Sequence, residues 1–320
     1  MISSDPTELV AQSREGSRTA LARLLTFVES GGPKQLATAA LAYRAEAPYV
    51  VGVTGPPGAG KSTMTDQLIK VVLERGSFGG EDEFDQVGVL CVDPSSPFTG
   101  GAILGDRIRM QGHATNEHVF IRSMATRGHL GGLSLAVPDA LRVLGAATFR
   151  LALVETVGVG QMEVEIASAA DTTIVVVNPD WGDAMQANKA GLLEVADIFV
   201  INKADRAGVR ETRRDLDQML DLGGGHGWRP PILETVATDG KGIAELWDVV
   251  VEHRSHLASG PLEERRRTRM RVELDKVLSA MVRSRVGALA RGDLYEGQID
   301  SLLAGTTDPY HAAETLLADS

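Results

Sequence analysis

The stretch Tyr49–Thr63, YVVGVTGPPGAGKST, decides the fold. It opens with a β-branched, apolar run typical of a buried strand and continues into the pattern G-x-x-x-x-G-K-[ST], formed by Gly55, Gly60, Lys61 and Ser62. A helical run, TMTDQLIKVVLERG, follows. This order predicts a phosphate-binding loop, because glycines let backbone amides turn inward and a helix N-terminus adds favourable partial charge.

Two side chains of this loop have predicted roles. We expect Lys61 to reach the β and γ phosphates of a nucleoside triphosphate, and the Ser62 hydroxyl to bind Mg²⁺. A glycine-rich turn without a ligand is the alternative, and the strand before the loop and the helix after it disfavour it.

Strand-like runs alternate with helical stretches from Pro48 to about His256. The runs are YVVGVT, VGVLCVD, HVFIRS, RLALVET, TTIVVVN, DIFVINK and PILETVA. Continuous apolar strands separated by helices predict a mostly parallel sheet that is covered by helices on both faces. The predicted fold class is therefore α/β, with the architecture of a P-loop nucleoside triphosphatase.

The chain divides into three predicted segments. Residues 1–46 form an N-terminal helical segment with two helices, residues 47–258 form the nucleotide-binding domain, and residues 259–320 form a C-terminal helical arm. The arm is amphipathic, which fits either a homodimer interface or packing against its own domain. Two glycine-rich stretches, RGSFGGEDEFDQ and DLGGGHGWR, are predicted to be mobile surface loops.

The choice of base is indicated by DIFVINKAD, where Asn202, Lys203 and Asp205 follow the order N-K-x-D at the end of a strand. A carboxylate at Asp205 can accept hydrogen bonds from N1-H and the exocyclic amine of guanine, and adenine offers no such pair of donors. We therefore expect GTP to be preferred over ATP. A weaker signal is the strand end formed by Val236, Ala237 and Thr238, where backbone donors could support guanine O6. The alternative is that this segment is an ordinary solvated turn.

Acidic residues at strand ends or in loops complete a predicted magnesium site around Ser62. They are Asp93, Asp106 and Glu155. Mg²⁺ keeps several waters, so one or two carboxylates that act directly or through water suffice. Asp106 also fits a helix-surface salt bridge with Arg109.

The segment ETVGVGQ, Glu155–Gln161, is interpreted as the switch segment of a nucleoside triphosphatase. It has Glu155 where Asp is usual, and Val159 where a water-orienting Gln would be expected. Val159 cannot orient water, so the candidates for this role are Glu155, Gln161 and Asp106. Gln161 also fits an ordinary polar position at the start of a helix. The candidates for charge stabilisation are Lys61, Arg107 and Arg109. Without a dedicated water-orienting glutamine, we expect slow intrinsic hydrolysis that a partner accelerates.

Composition limits the class of protein. With 320 residues and 43% hydrophobic content the chain can bury a large core, and its net charge of −11 argues against nucleic-acid or anionic-membrane binding. The basic run EERRRTRMR is interpreted as a solvated helix face, and Cys91 as a reduced thiol buried in a strand. The N-terminus does not resemble a secretion signal, and no apolar run approaches the roughly 20 residues that span a bilayer. These features predict a soluble, cytoplasmic protein.

Five motifs carry a family resemblance. In chain order they are GPPGAGKST, VDPSSPFTGGAILGDRIRM, ETVGVGQ, NPDWGDAMQANKAG and NKAD. Together they resemble the MeaB/ArgK family of P-loop GTPases, whose human member is the methylmalonic aciduria type A protein. The resemblance covers nearly the whole chain, and the second motif is the most specific of the five.

The resemblance implies a GTPase, related to signal-recognition-particle GTPases, that acts as a chaperone to adenosylcobalamin-dependent methylmalonyl-CoA mutase. Members of the family are expected to gate cofactor loading and to protect the mutase from inactivation. The implied ligands are GTP, GDP and Mg²⁺. Dimerisation through the C-terminal helices is also implied.

The family's functional positions carry over to this sequence. The resemblance implies that Asp205 holds guanine, and that Asp93, Asp106 and Glu155 form the magnesium and catalytic region. The residues implied to hold the phosphates are Gly55, Pro56, Pro57, Gly58, Ala59, Gly60, Lys61, Ser62 and Thr63.

Some positions depart from the family pattern. Residues 180–189 match the mobile loop that couples nucleotide state to the mutase, but Asp180 and Trp181 stand where the family usually has small residues. The loops at 76–86 and 222–229 are longer than is typical.

Two other functions remain open at this stage. A nickel-delivery GTPase shares the fold, but it usually carries His-rich or Cys-x-x-Cys ligands, whereas His253 and His256 are an isolated pair that fits a helix surface. The other is a kinase of a protein or transport component. A scaffold without enzymatic activity is disfavoured by the intact Lys61, Ser62 and NKAD set.

Overall fold

The computed structural model describes most of the chain. The described residues are 3–78, 83–94, 111–113, 115–126, 132–156, 169–179, 195–222, 227–290 and 292–318.

Among the described residues, a seven-stranded parallel sheet forms the centre of the part of the chain up to Arg269. The strands are β1 Tyr49–Thr54, β2 Val87–Pro94, β3 Val119–Thr126, β4 Leu151–Thr156, β5 Thr172–Val177, β6 Ile198–Asn202 and β7 Ile232–Thr235. Their order across the sheet is β3-β2-β4-β1-β5-β6-β7, and each neighbouring pair is parallel. The predicted α/β class and parallel sheet are confirmed, and each predicted strand is present.

Helices precede, connect and follow the strands. They are α1 Pro6–Arg14, α2 Arg18–Ser30, α3 Pro33–Ala42, α4 Lys61–Arg75, α5 Gly132–Ala146, α6 Val209–Leu222, α7 Ile243–Ala258, α8 Pro261–Leu289, α9 Asp293–Leu303 and α10 Pro309–Ala318. The parallel connections need such crossovers, because a parallel partner begins at the opposite end of the sheet.

The N-terminal segment contains three helices, so the prediction of two is wrong. The break between α1 and α2 is at Gly16, which has a φ of 91°, and at Ser17, whose hydroxyl accepts a hydrogen bond from the Ala20 amide over 3.3 Å. A positive φ favours glycine, and serine is a preferred N-cap residue. The two residues therefore end one helix and begin the next.

The N-terminal helices cover one face of the sheet together with α5. Leu9, Leu24 and Leu25 are fully buried and share a hydrophobic cluster with the strand residues Leu90 and Val154. Burying such a side chain stabilises a fold by about 1.5–3 kcal/mol. The helices α1–α3 are therefore part of the core around the sheet.

The opposite face packs against α4 and α7. The side chain of Trp247 in α7 is 1% exposed and packs against the rings of Phe78 and Phe84. The prediction of a mobile surface loop over 75–86 is wrong at these two positions, because an aromatic side chain gains more from burial than from solvent. Residues 79–82 of this loop lie outside the described part. Cys91 is buried in β2, as predicted.

The chain forms two compact units. The first is Met1–Arg269 and contains the sheet, and the second is Met270–Ser320 and contains α9 and α10. The division into segments 1–46, 47–258 and 259–320 stays a prediction. In the described ranges, no helix combines the length and the apolar character that crossing a membrane requires.

Candidate functional site

Several predicted site residues lie at one end of the sheet, where the strands finish. We call this end the carboxyl edge. β1 ends at Thr54, β4 at Thr156, β6 at Asn202 and β7 at Thr235. Because the strands are parallel, the segments that follow them meet at this edge, which is where open α/β sheets bind ligands.

The phosphate loop connects β1 to α4 in a conformation that requires glycine. Gly55 has a φ of 132°, and a Cβ atom added to it would lie 2.0 Å from the carbonyl oxygen of Val176. Gly60 has a φ of 96°, and an added Cβ would lie 2.3 Å from Nδ2 of Asn202. The loop thus lies directly against β5 and the end of β6, which only glycine at these positions allows.

Lys61 begins α4 and its side chain turns back over the loop. It is buried, and its Nζ donates to the carbonyl oxygens of Gly55 over 2.5 Å and of Pro56 over 3.0 Å. The ammonium group is therefore held within the phosphate loop, close to where phosphate oxygens would bind.

Ser62 and Glu155 contact each other across the edge. The Ser62 hydroxyl donates to Oε1 of Glu155 over 2.6 Å, and Glu155 is 1% exposed. A hydroxyl and a carboxylate are hard oxygen donors, and Mg²⁺ takes one or two such protein ligands beside phosphates and waters. The oxygen donors of Ser62 and Glu155 are therefore of the type that binds a magnesium ion.

Asn202 links three segments of the site. Its Nδ2 donates to the Ala59 carbonyl oxygen over 2.8 Å, and its Oδ1 accepts from the Thr235 hydroxyl and from the Ala237 amide, each over 3.1 Å. The side chain is 2% exposed. One amide thus connects the phosphate loop with β7 and with the turn that begins at Val236.

Lys203 follows Asn202 and extends over the phosphate loop. Its φ is 59°, a conformation uncommon for residues other than glycine, and its Nζ donates to the Gly58 carbonyl oxygen over 2.6 Å. Asp205 is exposed two residues further on, and Ala237 begins a short 3₁₀ helix that includes Thr238. A strained backbone that is held by specific contacts is common at ligand sites.

The structure thus brings the phosphate loop, Glu155 and the two segments predicted to bind guanine, 202–205 and 236–238, together at one edge. The predicted residue Asp93 lies in β2, which ends at the same edge. Other positions with predicted roles lie outside the described residues: Asp106, Arg107, Arg109, Val159, Gln161, Asp180 and Trp181.

A second polar cluster lies at the opposite end of the sheet, the amino edge, and the sequence interpretation missed it. Asp171 directly precedes β5 and is 1% exposed. It accepts hydrogen bonds from the Val50 amide over 3.0 Å, from Arg266 of α8 over 3.0 Å, and from Arg269. This carboxylate ties the start of α8 to the start of two strands.

Asp197 occupies the equivalent position before β6 and is also buried. Its carboxylate accepts from the Thr173 amide over 2.9 Å and from Arg265 over 2.8 Å, and it lies 3.3 Å from Nε2 of His253. The other ring nitrogen of His253 is 2.8 Å from the hydroxyl of Thr172. The second carboxylate therefore joins β5, β6, α7 and α8.

Two sequence interpretations are corrected here. The basic run EERRRTRMR is not simply a solvated helix face, because Arg265, Arg266 and Arg269 pair with buried carboxylates. His253 is 0% exposed, so it does not lie on the helix surface. A signal was present, since Asp171 and Asp197 each stand immediately before an apolar strand.

The pKa values of both carboxyls are lowered. Burial alone raises the pKa of Asp171, but the hydrogen bonds and charges of Arg266 and Arg269 outweigh burial and hold this pKa below its usual range. Burial also raises the pKa of Asp197, but its close contact with His253 and its hydrogen bond and ion pair with Arg265 outweigh burial and lower this pKa. Both groups are therefore ionised at neutral pH.

The fold and the carboxyl edge define the class of protein. A parallel sheet, a phosphate loop before α4 and an N-K-x-D sequence at the end of β6 are together those of a P-loop GTPase.

Comparisons with known proteins place the chain within this class. The family model described as methylmalonyl Co-A mutase-associated GTPase MeaB matches residues 21–291, and the chain belongs to this family. A Pyrococcus abyssi protein named as a GTPase is 48% identical over 98% of this chain and 96% of its own. The mouse mitochondrial methylmalonic aciduria type A homolog is 31% identical, over 95% and 76% of the two chains. The chain is a GTPase and binds GTP and GDP.

A solved structure supports the fold over the full length. The crystal structure of a LAO/AO transport system kinase aligns with a TM-score of 0.68 at 27% identity, and covers 99% of this chain and 98% of the other. The family resemblance inferred from the motifs is thus confirmed.

Proposed function

We propose that the protein is a GTP-dependent chaperone of an adenosylcobalamin-dependent methylmalonyl-CoA mutase in the cytoplasm, and that it gates cofactor loading and protects the mutase. The observation that carries this proposal is the family match, which extends over residues 21–291 and is described by its association with this mutase. The assembled nucleotide site at the carboxyl edge supports the GTP-dependent part.

The phosphate loop binds the polyphosphate in this proposal. Its amides and the N-terminus of α4 supply donors and positive partial charge, and Lys61 supplies a full charge at the γ phosphate. Lys61 already lies over the loop, 2.5 Å from the Gly55 carbonyl oxygen. The lysine therefore exchanges loop carbonyls for phosphate oxygens when GTP binds.

Ser62 and Glu155 hold the magnesium in this proposal, with Asp93 and Asp106 as further acids. Bound Mg²⁺ would neutralise charge that develops on the phosphate oxygens. The carboxylate of Glu155 accepts a hydrogen bond from the Ser62 hydroxyl over 2.6 Å, so it is held beside the start of α4. From there it orients the attacking water, a role for which Gln161 and Asp106 are the other candidates.

Guanine is selected by Asp205 and supported by Asn202 and Lys203. Asn202 accepts a hydrogen bond from the Ala237 amide and so fixes the segment 236–238. The backbone donors of this segment are proposed to support guanine O6. Asp205 is exposed at the end of this motif and free of burial costs, which suits a carboxylate that pairs with N1-H and the exocyclic amine.

We also propose that the protein is a homodimer through its C-terminal helices. Apolar side chains on α8 are exposed: Met270, Val272, Leu274, Leu278, Met281, Val282 and Val286. So many exposed apolar side chains along one helix are typical of a protein interface. Sedimentation or light scattering of the full chain tests this part, and a monomer at micromolar concentration would contradict it.

The mutase is the partner to test first. Purified full-length protein is mixed with an adenosylcobalamin-dependent methylmalonyl-CoA mutase, in GDP or in a non-hydrolysable GTP analogue, and binding is measured by titration calorimetry. We expect binding that depends on the nucleotide and a GTP turnover that rises when mutase is added. Equal binding in both states, with an unchanged turnover, would contradict the proposal, and so would unassisted turnover of tens per second.

A kinase is the second candidate, and one observation favours it. The aligned crystal structure is that of a LAO/AO transport system kinase. Release of inorganic phosphate from γ-labelled GTP supports hydrolysis, whereas label that remains on a protein supports phosphoryl transfer. Both products are measured in the same reaction, with and without mutase.

A further inference from the structure

Thr54 and Thr156 join the ends of two neighbouring strands at the carboxyl edge. Thr54 is the last residue of β1, directly before the phosphate loop, and Thr156 is the last residue of β4, directly after Glu155. Both are 0% exposed. The Thr156 hydroxyl donates to the Thr54 hydroxyl over 3.1 Å. The mechanism proposed above uses neither side chain.

The hydroxyl contact lies beyond the backbone pairing of these strands. The register between β1 and β4 ends at Val53 and Glu155. Two residues after Val53, β1 gives way to the phosphate loop at Gly55. The contact between the threonines therefore continues the pairing by one residue, at the point where the two backbones diverge toward separate parts of the site.

The two polar contacts at the end of β4 lie on opposite faces of the sheet. Successive side chains of a strand alternate between faces. Leu153 belongs to the cluster under α4, and Glu155 shares its face. Val154 belongs to the cluster under the N-terminal helices, and Thr156 shares that face. The strand end is thus held on one face by Ser62 and on the other by a threonine.

We propose that Thr54 and Thr156 are positioning residues for GTP hydrolysis. Their hydroxyl contact fixes the end of β4, and through it the position of the Glu155 carboxylate relative to the phosphate loop. This inference rests on the proposed role of Glu155. Nucleotide affinity depends on the loop amides and the guanine contacts, and neither threonine hydroxyl is one of these groups. The hydroxyl contact is therefore expected to act on the rate of hydrolysis.

Replacing Thr156 tests the inference in the full-length protein. Thr156→Val keeps the shape and removes the hydroxyl, and we expect kcat for GTP to fall about tenfold, because small displacements of reacting groups reduce rates strongly. The dissociation constant for GDP should stay within about twofold. Thr156→Ser keeps a hydroxyl and should restore most of kcat. Thr38→Val is the matched control, because Thr38 is equally buried but lies in α3.

A double variant separates positioning from stability. Removing one hydroxyl leaves its buried partner unsatisfied, whereas removing both relieves this cost. Thr54→Val/Thr156→Val should therefore regain most of any Tm lost in Thr156→Val, yet retain the low kcat. If kcat recovers together with Tm, the threonines have only a structural role and the inference is wrong.

A further variant separates this inference from the proposed role of Glu155. Glu155→Gln is measured in parallel. If Glu155→Gln is slow and Thr156→Val keeps the wild-type kcat, the positioning role alone is contradicted. If Glu155→Gln also keeps the wild-type kcat, the proposed role of Glu155 fails, and the inference fails with it.

Discussion

The two edges of the sheet both carry buried polar groups, but their partners differ. At the carboxyl edge, the cation Lys61 contacts backbone carbonyl oxygens and the anion Glu155 contacts a hydroxyl. At the amino edge, Asp171 and Asp197 contact arginines directly. The buried carboxylates of the amino edge are thus compensated by charges of the protein itself. The charged groups of the carboxyl edge lie instead beside a glycine-rich loop at a helix N-terminus, an arrangement that binds phosphate.

This difference separates a functional site from a structural one. Burial and shifted pKa values are common to active sites and to structural ion pairs, so neither property identifies a site by itself. The pKa values of Asp171 and Asp197 are lowered, yet their partners are charged and come from the protein's own helix α8. We therefore assign nucleotide chemistry to the carboxyl edge and the attachment of α8 to the amino edge.

The largest expected effect is at the carboxyl edge. Lys61→Ala should lower the rate of GTP hydrolysis by about 10²–10³, because it removes the charge over the phosphates. The free energy of unfolding should change by less than about 1 kcal/mol. Phosphate release and urea unfolding are measured on the same sample. Lys70→Ala, on the exposed side of the same helix, is the control and should keep both values. Equal losses of rate in the two variants would contradict the assignment.

The next largest effect is expected at the amino edge, where a substitution should reduce stability and leave the rate of hydrolysis nearly unchanged. Asp171→Asn should lower the free energy of unfolding by about 3 kcal/mol, because removing one partner of a buried ion pair leaves the other charge uncompensated. The rate of GTP hydrolysis per folded molecule should stay within about twofold of the wild type, since the site is at the other end of the strands. Urea unfolding and phosphate release are the measurements.

A matched control uses an exposed carboxylate. Asp248 pairs with Arg75 at the surface and is 59% exposed, so Asp248→Asn should cost about 1 kcal/mol or less. A loss of hydrolysis in Asp171→Asn without a loss of stability would show that the amino edge takes part in the reaction.

The smallest effect depends on pH. A carboxyl with a lowered folded pKa contributes stability above its unfolded pKa of about 3.9, and this contribution is lost as the pH falls through the folded pKa. Asp197 behaves in this way, and Arg265→Ala should move its pKa closer to the usual value. Because Arg265 is 43% exposed, the expected loss at pH 7 is only about 1 kcal/mol.

The sign of this pH effect can be checked directly. The difference in unfolding free energy between wild type and Arg265→Ala should be full at pH 7 and should shrink as the pH falls below about 4. It should vanish once the pH is also below the lowered pKa of Asp197 in the wild type. Urea titrations at several pH values measure it. A difference that grows as the pH falls would contradict the pairing of Arg265 with Asp197.

The carboxyl edge was predictable from the sequence because its groups are consecutive along the chain. Gly55, Gly60 and Lys61 lie in one short segment, and Asn202 and Lys203 lie next to each other, so each motif can be recognised from neighbouring residues alone. The contact of Asn202 with Ala59 and Ala237 was not predictable, because it joins residues that are far apart in sequence. Each strand was recognised for a similar reason, since β-branched runs are a local signal.

The amino edge was not predicted because its partners are distant in sequence. Arg266 lies 95 positions from Asp171, and the run that contains it has the composition of a solvated helix. Asp171 and Asp197 stand immediately before buried strands, which indicates that their carboxylates are buried. Only the packing of α8 shows that arginines are their partners. The break at Gly16 was missed because a single glycine within a helical pattern is a weak signal.

The most direct test of the central claim is the thermal stabilisation that GDP with Mg²⁺ gives to the wild type, Asp171→Asn and Lys61→Ala. GDP at about 100 times its dissociation constant should stabilise the first two proteins equally, by about 2.7 kcal/mol, because ligand binding adds to the stability of the folded state. The same concentration should stabilise Lys61→Ala much less, and ADP should have no effect on any of them. Equal stabilisation of all three proteins by GDP, or of the wild type by ADP, would contradict a guanine nucleotide site at the carboxyl edge.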